Sequence, residues 1–246
     1  MFMHPMSLQL PQAPLFGRAL GAQTLGVAGA AAAAVGVARW VPATSTFPLQ
    51  AAFACAAVQM VAFGYLQAHH PFDRFGSANG VTTARAALVA VVAALLGQAR
   101  ADATAWAAAL VSVAVTALDG VDGWLARRSG MCSPFGARYD MELDALLILL
   151  LSVAAWQFGR AGAWIVLAGA MRYLFVAAGF VWPWMDSALP PSLRRKTVCV
   201  VQVTGLCAVV SPLPGAALGT AIAGVTLAAL TWSFGVDVFW LWRHRV

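Results

Sequence analysis

Charged residues are scarce in this chain, and their scarcity excludes a soluble globular protein. Only 10% of the 246 residues are charged, whereas 61% are hydrophobic. A soluble domain carries about a quarter of its residues as charges. The apolar excess is too large for one buried core and comes in blocks long enough to cross a bilayer. We therefore predict a polytopic helical membrane protein of the all-α class.

Lysine is scarce, and the cysteines show no paired spacing. A single Lys and 14 Arg contribute to a net charge of +6, but no basic run has aromatic residues interleaved with it. That pattern argues against a nucleic-acid surface. The four cysteines form no CxxC pair and no Cys/His spacing typical of zinc. We expect no nucleic-acid partner and no disulfide framework.

Apolar runs separated by Pro, Gly, Ser or charged residues predict eight helices. Their predicted ranges are 21–41, 48–68, 80–99, 104–128, 140–158, 161–182, 196–211 and 215–242. A cleaved signal peptide is the alternative for the first run. However, that run is longer than a usual signal core, and no cluster of positive charge precedes it. We expect it to be retained as a helix.

The positive charges divide unevenly between the two sides of the predicted bundle. If the N-terminus is cytoplasmic, ten Arg or Lys residues fall on the cytoplasmic side, and only Arg39, Arg100 and Arg160 fall on the other. Short cytoplasmic loops are enriched in positive charge. The bias predicts an even number of membrane crossings, with both termini in the cytoplasm.

Acidic residues are few, but five of the nine lie between positions 119 and 144. Asp119 and Asp122 fall near the end of the predicted fourth helix, and Asp140 and Asp144 open the fifth. Spacings of three and four place two side chains on one helix face. Four facing carboxylates would repel one another at membrane depth, so the pattern predicts divalent cations with oxygen ligands, such as Mg²⁺ or Mn²⁺. The alternative is a set of solvated helix-end acids, with Asp140 and Glu142 favouring a helix N-terminus.

The residues between these acids suit a nucleotide diphosphate. Gly123 and Ala126 are small enough to let a flat ligand approach the backbone, and Arg127 offers a fork of donors for phosphate. The whole pattern reads Asp119-x2-Asp122-Gly123-x2-Ala126-Arg127-x8-Gly136-x3-Asp140-x3-Asp144. It resembles the signature of the CDP-alcohol phosphatidyltransferase family, and all eight defined residues match over 26 positions.

Two weaker resemblances extend over much of the remaining chain. The matching segments are Asn79-x2-Thr82-x2-Arg85, similar to the start of the family's first core helix, and Arg194-Arg195-Lys196-Thr197 with Gln202, similar to the start of its fifth. The resemblance implies a six-helix CDP-alcohol phosphotransferase core in residues 71–246. Residues 1–70, with two further predicted transmembrane helices, form an N-terminal extension to which we assign no role.

The resemblance also implies an activity in phospholipid biosynthesis. A phosphatidyl group would pass from CDP-diacylglycerol to a polar alcohol, with release of CMP. By likeness, two Mg²⁺ (or Mn²⁺) ions are held by Asp119, Asp122, Asp140 and Asp144, and Asp144 is also the general base. Further implied features are a homodimer and a location in the cell inner (cytoplasmic) membrane with the active site facing the cytoplasm.

Substrate contacts are implied in the same way. Their positions are Asn79, Gly80, Val81, Thr82, Gly123, Arg127 and Ser133. For Ser133, an ordinary loop serine is an equally good interpretation. Arg172, in the middle of the sixth helix, would be costly if unpaired; with Arg194, Arg195 and Lys196 it would suit a phosphate on the acceptor.

The basic set therefore favours glycerol 3-phosphate as the acceptor, with inositol phosphate, serine and choline as alternatives. The alternative for its loop members is that they only fix topology. Arg85 and Asp237 also lie near membrane depth, and the sequence does not identify their partners. His69 and His70 precede a proline, and adjacent residues do not share a helix face, so we interpret them as a solvated loop pair rather than metal ligands.

Two other kinds of protein have to be weighed against an enzyme. An ion-coupled transporter would place its acidic residues along a path across the membrane, whereas here they cluster at one end. A scaffold that has lost catalysis would not need all four aspartates. Both comparisons favour the enzyme.

Overall fold

The computed structural model describes residues 13–245, and in that range the chain forms eight α-helices and no strand. The helices are α1 (Ala13–Val37), α2 (Phe47–His69), α3 (Ser77–Leu95), α4 (Asp102–Ser129), α5 (Pro134–Gln157), α6 (Val166–Val181), α7 (Leu193–Val210) and α8 (Ala216–Arg243). The all-α class is confirmed. The largest differences from the predicted bounds are the early starts of α1 and α5. The first twelve residues of the predicted N-terminal extension lie outside the described range.

Six of the described helical segments are long and apolar enough to cross a membrane, namely α1, α2, α3, α4, α8, and α6 together with the 3-10 turn Ala163–Ile165 that directly precedes it. The chain is therefore a polytopic helical membrane protein, as predicted. α5 and α7 carry four and three charged residues, respectively, in their first halves. That these two helices also cross the membrane remains a prediction.

The helices group into two compact units that part between Leu146 and Leu147. The first unit contains α1 to α4 and the first half of α5. Within it, α3 is the central helix, because α1, α2 and α4 all pack against it. The two N-terminal helices are thus packed directly onto the helix with which the predicted catalytic core begins.

An apolar cluster connects the first two helices to α5. Its buried members include Leu15 of α1, Leu66 of α2, Ala86 of α3, and Phe135, Tyr139 and Leu143 of α5. Steps of four residues place the three α5 side chains on one face of that helix. Because this face packs against buried side chains of α1, α2 and α3, it sets the rotation of α5. Asp140 and Asp144 lie on the adjacent face.

The connection between α4 and α5 spans only residues 130–133. α4 ends where Gly130 adopts a φ of 66°, in the left-handed region that glycine enters without strain. α5 begins after Ser133, whose hydroxyl accepts a hydrogen bond of 3.0 Å from the Gly136 N–H. That contact is an N-cap, and Pro134 suits the first helical position because its missing N–H would be unsatisfied there anyway. The short turn places the end of α4 close to the start of α5.

Candidate active site

The four aspartates come from the last turns of α4 and the first turns of α5. Asp119 and Asp122 lie near the end of α4, as predicted. The prediction that Asp140 opens the fifth helix is wrong, because the Ser133 cap and Pro134 start α5 well before that residue. Asp140 therefore lies nearly two turns inside the helix, and its interpretation as an acid at a helix N-terminus fails.

The predicted meeting of the carboxylates is present in the structure. Asp119, Asp140 and Asp144 each offer one oxygen, and these three atoms lie within 4.8 Å of one another. Asp122 is placed differently, since it is only 5% exposed and its Oδ2 accepts a hydrogen bond of 3.0 Å from the Thr82 hydroxyl. The four aspartates thus form a partly exposed trio with one buried member behind it.

Arg85 of α3 is the residue on which all four aspartates converge. Its Nη1 lies 2.9 Å from Asp119 Oδ1 and 2.8 Å from Asp122 Oδ2, and it also donates to Asp140 Oδ1. Its Nη2 donates to Asp144 Oδ1 at 2.7 Å. The side chain is fully buried. The sequence placed Arg85 in the segment Asn79-x2-Thr82-x2-Arg85 and near membrane depth, but it did not identify the aspartates as its partners.

The guanidinium of Arg85 satisfies the aspartates only in part. Nη1 carries two hydrogens but lies next to three carboxylates, so it cannot donate a separate hydrogen bond to each of them. One positive charge also balances only one of four negative ones. The arrangement can therefore take up further cations.

A hard divalent cation fits this donor set. Mg²⁺ and Mn²⁺ prefer carboxylate oxygens. At Mg–O distances of about 2.1 Å, two oxygens on one ion lie at most about 4.2 Å apart. The oxygens of Asp119, Asp140 and Asp144 lie within 4.8 Å of one another. Side-chain shifts of a few tenths of an ångström would therefore bring them to distances that one ion allows.

The start of α3 contacts the start of α5 beside the aspartates. The Asn79 side-chain amide donates to the Phe75 carbonyl at 2.5 Å. Its Oδ1 would lie only 3.0 Å from a Cβ at position 136, and the Ser133 hydroxyl oxygen would lie 3.4 Å from the same atom. Because Gly136 has no Cβ, the start of α3 can lie this close to the start of α5. A larger residue at position 136 would push Asn79 away, which explains physically why the sequence pattern has glycine here.

The other predicted nucleotide contacts occupy two different places. Arg127 is exposed, and its Nη1 lies 3.4 Å from the Cβ position of Gly123, so the guanidinium lies over the Gly123 backbone. Val81 is half-buried on α3. Gly80 borders a groove of about 410 Å³ between α1 and α3. The structure thus places Thr82 with the aspartates, Asn79 against the first turn of α5, and Gly80 in the groove between α1 and α3.

The interpretation of His69 and His70 as a solvated pair is wrong for His70, which is 6% exposed. Its Nδ1 lies 3.2 Å from the Ser133 hydroxyl oxygen, and its Nε2 lies 2.8 Å from the Arg74 carbonyl oxygen. The rings of Phe72 and Phe135 meet its ring edge to face. No pattern in the local sequence predicts this burial, because it depends on contacts with the loop before α5, which is 63 residues away in the sequence.

The predicted acceptor residues belong to the second compact unit. Asp237, whose partner the sequence did not identify, lies 2.6 Å from Arg194 Nη2 and 3.1 Å from Arg195 Nη1. These two arginines therefore have an acidic partner of their own. Lys196 is exposed at the start of α7, and Arg172 is half-buried on α6.

Comparisons with known proteins agree with the pattern of the aspartates. The family model described as CDP-alcohol phosphatidyltransferase matches residues 75–236, well over half of the chain. No solved structure matches the chain. Members of the family are phosphotransferases of lipid biosynthesis that use a CDP-alcohol, an alcohol acceptor and a divalent metal. This favours the enzyme over the ion-coupled transporter, and the chain belongs to the CDP-alcohol phosphatidyltransferase family.

Proposed function

We propose that this protein transfers the phosphatidyl group of CDP-diacylglycerol to a polar alcohol and releases CMP, using two Mg²⁺ (or Mn²⁺) ions. One observation carries the proposal: carboxylates from α4 and α5 converge at one place on a single buried guanidinium. Such a concentration of negative charge is unfavourable unless cations neutralise it. The family supplies the reaction to which a metal site of this kind belongs.

Asp119, Asp122, Asp140 and Asp144 would hold the ions. When bound, the ions supply positive charge to the diphosphate oxygens and to the leaving CMP. Thr82 and Arg85 orient Asp122 through hydrogen bonds of 3.0 and 2.8 Å, and ligands oriented in this way bind metal more tightly.

Thr82→Val is a direct test of that orientation. Loss of its hydrogen bond to Asp122 is expected to raise the Mg²⁺ concentration for half-maximal activity by about tenfold. Thr83→Val is the matched control, because the Thr83 hydroxyl donates to the Asn79 carbonyl at 2.8 Å. The measurement is a Mg²⁺ titration of CMP release at fixed substrate. Equal shifts in the two variants would contradict a specific role for Thr82.

Asp144 is proposed as the general base. The acceptor hydroxyl must lose its proton as its oxygen attacks the phosphorus that carries the diacylglycerol group, and a nearby carboxylate can take that proton. Two features support the assignment: Asp144 is the last aspartate of the family pattern, and its side chain is 26% exposed, so that a substrate can reach it.

The nucleotide is proposed to lie along α3 and the end of α4. Asn79, Gly80, Val81 and Thr82 would contact it from one side, and Gly123 with Arg127 from the other. The exposed Arg127 guanidinium over the small Gly123 supports a phosphate contact, because a planar fork of N–H donors matches phosphate oxygens. Ser133 remains a proposed contact, although its hydroxyl already caps α5.

Glycerol 3-phosphate is the proposed acceptor, bound by Arg172 and Lys196. A phosphate favours a site with several basic donors. The pairing of Arg194 and Arg195 with Asp237 leaves Lys196 as the exposed cation of this segment. Inositol phosphate, serine and choline are the acceptors to compare with it.

The proposed setting is the cell inner (cytoplasmic) membrane, with the aspartates at its cytoplasmic face and the protein as a homodimer. The uneven distribution of positive charge in the sequence supports the orientation. Family resemblance supports the dimer. Reaction at the cytoplasmic face would also give a soluble acceptor access to the partly exposed Asp140 and Asp119 side chains.

To test this, the purified protein is incubated with CDP-diacylglycerol, Mg²⁺ or Mn²⁺, and each of a panel of alcohols, and the release of CMP is measured. We expect CMP with glycerol 3-phosphate, little with serine or choline, and none after chelation of the metal. Metal-dependent CMP release with another acceptor would support the proposed reaction but would show that the acceptor is not glycerol 3-phosphate. Absence of CMP with every acceptor would refute the reaction.

A further inference from the structure

A directed chain of hydrogen bonds runs from the end of α2 to the start of α5. The Gly136 N–H donates to Ser133 Oγ at 3.0 Å. Ser133 Oγ lies 3.2 Å from His70 Nδ1, and His70 Nε2 lies 2.8 Å from the Arg74 carbonyl oxygen. His70 and Ser133 are at most 9% exposed, so water has little access to compete for these bonds.

The partners assign the hydrogen on each atom. A backbone carbonyl only accepts, so Nε2 of His70 carries the ring hydrogen. In the tautomer that carries its hydrogen on Nε2 alone, Nδ1 accepts from the Ser133 hydroxyl, which leaves the Ser133 oxygen to accept from the Gly136 N–H. Each group in the chain has one role, and the hydroxyl of Ser133 is held in a single orientation.

Ser133 is the N-cap of α5 and directly precedes its first residue. Asp140 and Asp144 follow it by seven and eleven residues, which is close to two and three turns of a helix with 3.6 residues per turn. The Asn79 side chain contacts the first turn of α5 at Gly136. The cap therefore determines where the aspartate face of α5 begins.

We propose that His70 is a positioning residue for the metal site: by holding the Ser133 cap, it sets the start of α5 and with it the placement of Asp140 and Asp144. This inference rests on the proposed function. It also assigns a task to the N-terminal extension, because His70 directly follows α2 and its ring packs against Phe135, a member of the apolar cluster that α1 and α2 share with α5.

Substitutions at position 70 separate the hydrogen bonds from the packing. His70→Phe keeps a flat ring beside Phe72 and Phe135 but removes both ring nitrogens. His70→Asn places an amide oxygen near the Nδ1 position and can still accept from Ser133. His70→Gln keeps a donor for the Arg74 carbonyl without the acceptor for Ser133. His69→Phe is the matched control. The His69 ring contacts the Tyr65 carbonyl at 3.2 Å and is not part of the hydrogen-bonded series that links His70, Ser133 and Gly136.

The principal measurement is Mn²⁺ binding to the full-length protein without substrate, followed by the electron paramagnetic resonance signal of free Mn²⁺. We expect His70→Phe and His70→Gln to weaken binding by about tenfold, with His70→Asn within about threefold of the wild type and His69→Phe unchanged. At saturating metal, kcat should still fall in His70→Phe and His70→Gln, because Asp140 and Asp144 would be misplaced. If His70→Phe prevents folding, His70→Gln takes its place.

Ser133→Ala tests the route of the effect. If His70 acts through Ser133, adding His70→Gln to Ser133→Ala should weaken Mn²⁺ binding no further, because the two residues act as one unit. Full additivity would overturn the inference, and so would equal losses in His70→Asn and His70→Gln. Wild-type protein that binds no Mn²⁺ would refute the proposed function itself. Wild-type binding with an unchanged His70→Gln would overturn only the role of His70.

Discussion

Asp144→Asn is expected to reduce kcat by about 10²–10⁴-fold, the usual contribution of a general base. The amide has nearly the shape of the carboxylate but cannot accept the proton of the attacking alcohol. Binding of CDP-diacylglycerol should persist, because the other three aspartates and the nucleotide contacts are unchanged. Single-turnover CMP release and equilibrium binding of the CDP-lipid measure the two effects separately.

Glu142→Gln is the matched control for Asp144→Asn. It removes one carboxylate from the same part of α5 but leaves all four aspartates of the pattern in place, and we expect near wild-type turnover. An active Asp144→Asn enzyme would show that another group accepts the proton. Loss of CDP-lipid binding together with turnover would instead indicate that Asp144 acts mainly as a metal ligand.

Arg85→Met is expected to lower the stability of the metal-free protein by about 3–5 kcal/mol, the range found when one partner of a buried ion pair is removed. The four carboxylates would lose the only cation that contacts all of them among the described residues. Added Mg²⁺ should recover much of the loss, because a bound ion neutralises the same carboxylates and stabilises the folded state. Thermal unfolding in chelator and in Mg²⁺ measures both quantities.

Two other substitutions separate charge from general damage. Arg85→Lys keeps the charge but cannot reach four carboxylates with a planar fork, so its stability should lie between those of the wild type and Arg85→Met. Arg128→Met removes an exposed arginine that stacks over Trp124 at 5.0 Å and should unfold like the wild type. If Arg85→Met unfolded like the wild type in chelator, Arg85 would not be the counter-charge of the cluster.

The aspartate cluster was predictable because its pattern is local. Asp119 and Asp122 are three residues apart on one helix, and Asp140 and Asp144 are four apart on the next. Helical periodicity alone puts each pair on one face. A short connection then keeps the two helix ends close together, and the structure shows oxygens of Asp119, Asp140 and Asp144 within 4.8 Å of one another.

The start of α5 was less predictable. The segment before Asp140 contains Pro134, Gly136 and several polar residues, which are typical of a loop. In the structure this segment is helical, because the Ser133 hydroxyl caps the helix and Pro134 fits its first position. Local propensity therefore favoured a late start, and the cap overrode it.

By itself, the sequence determined the membrane class, the eight helices, the aspartate pairs and the family. Each depends on composition, on spacing within a helix or, for the family, on a pattern of 26 consecutive positions. Only the tertiary structure decided which residues surround the aspartates. Arg85 lies 34 residues before Asp119, and His70 lies 63 residues before Ser133. Contacts over such separations depend on how α2, α3 and α5 pack against one another, and no periodic pattern in one chain specifies that packing.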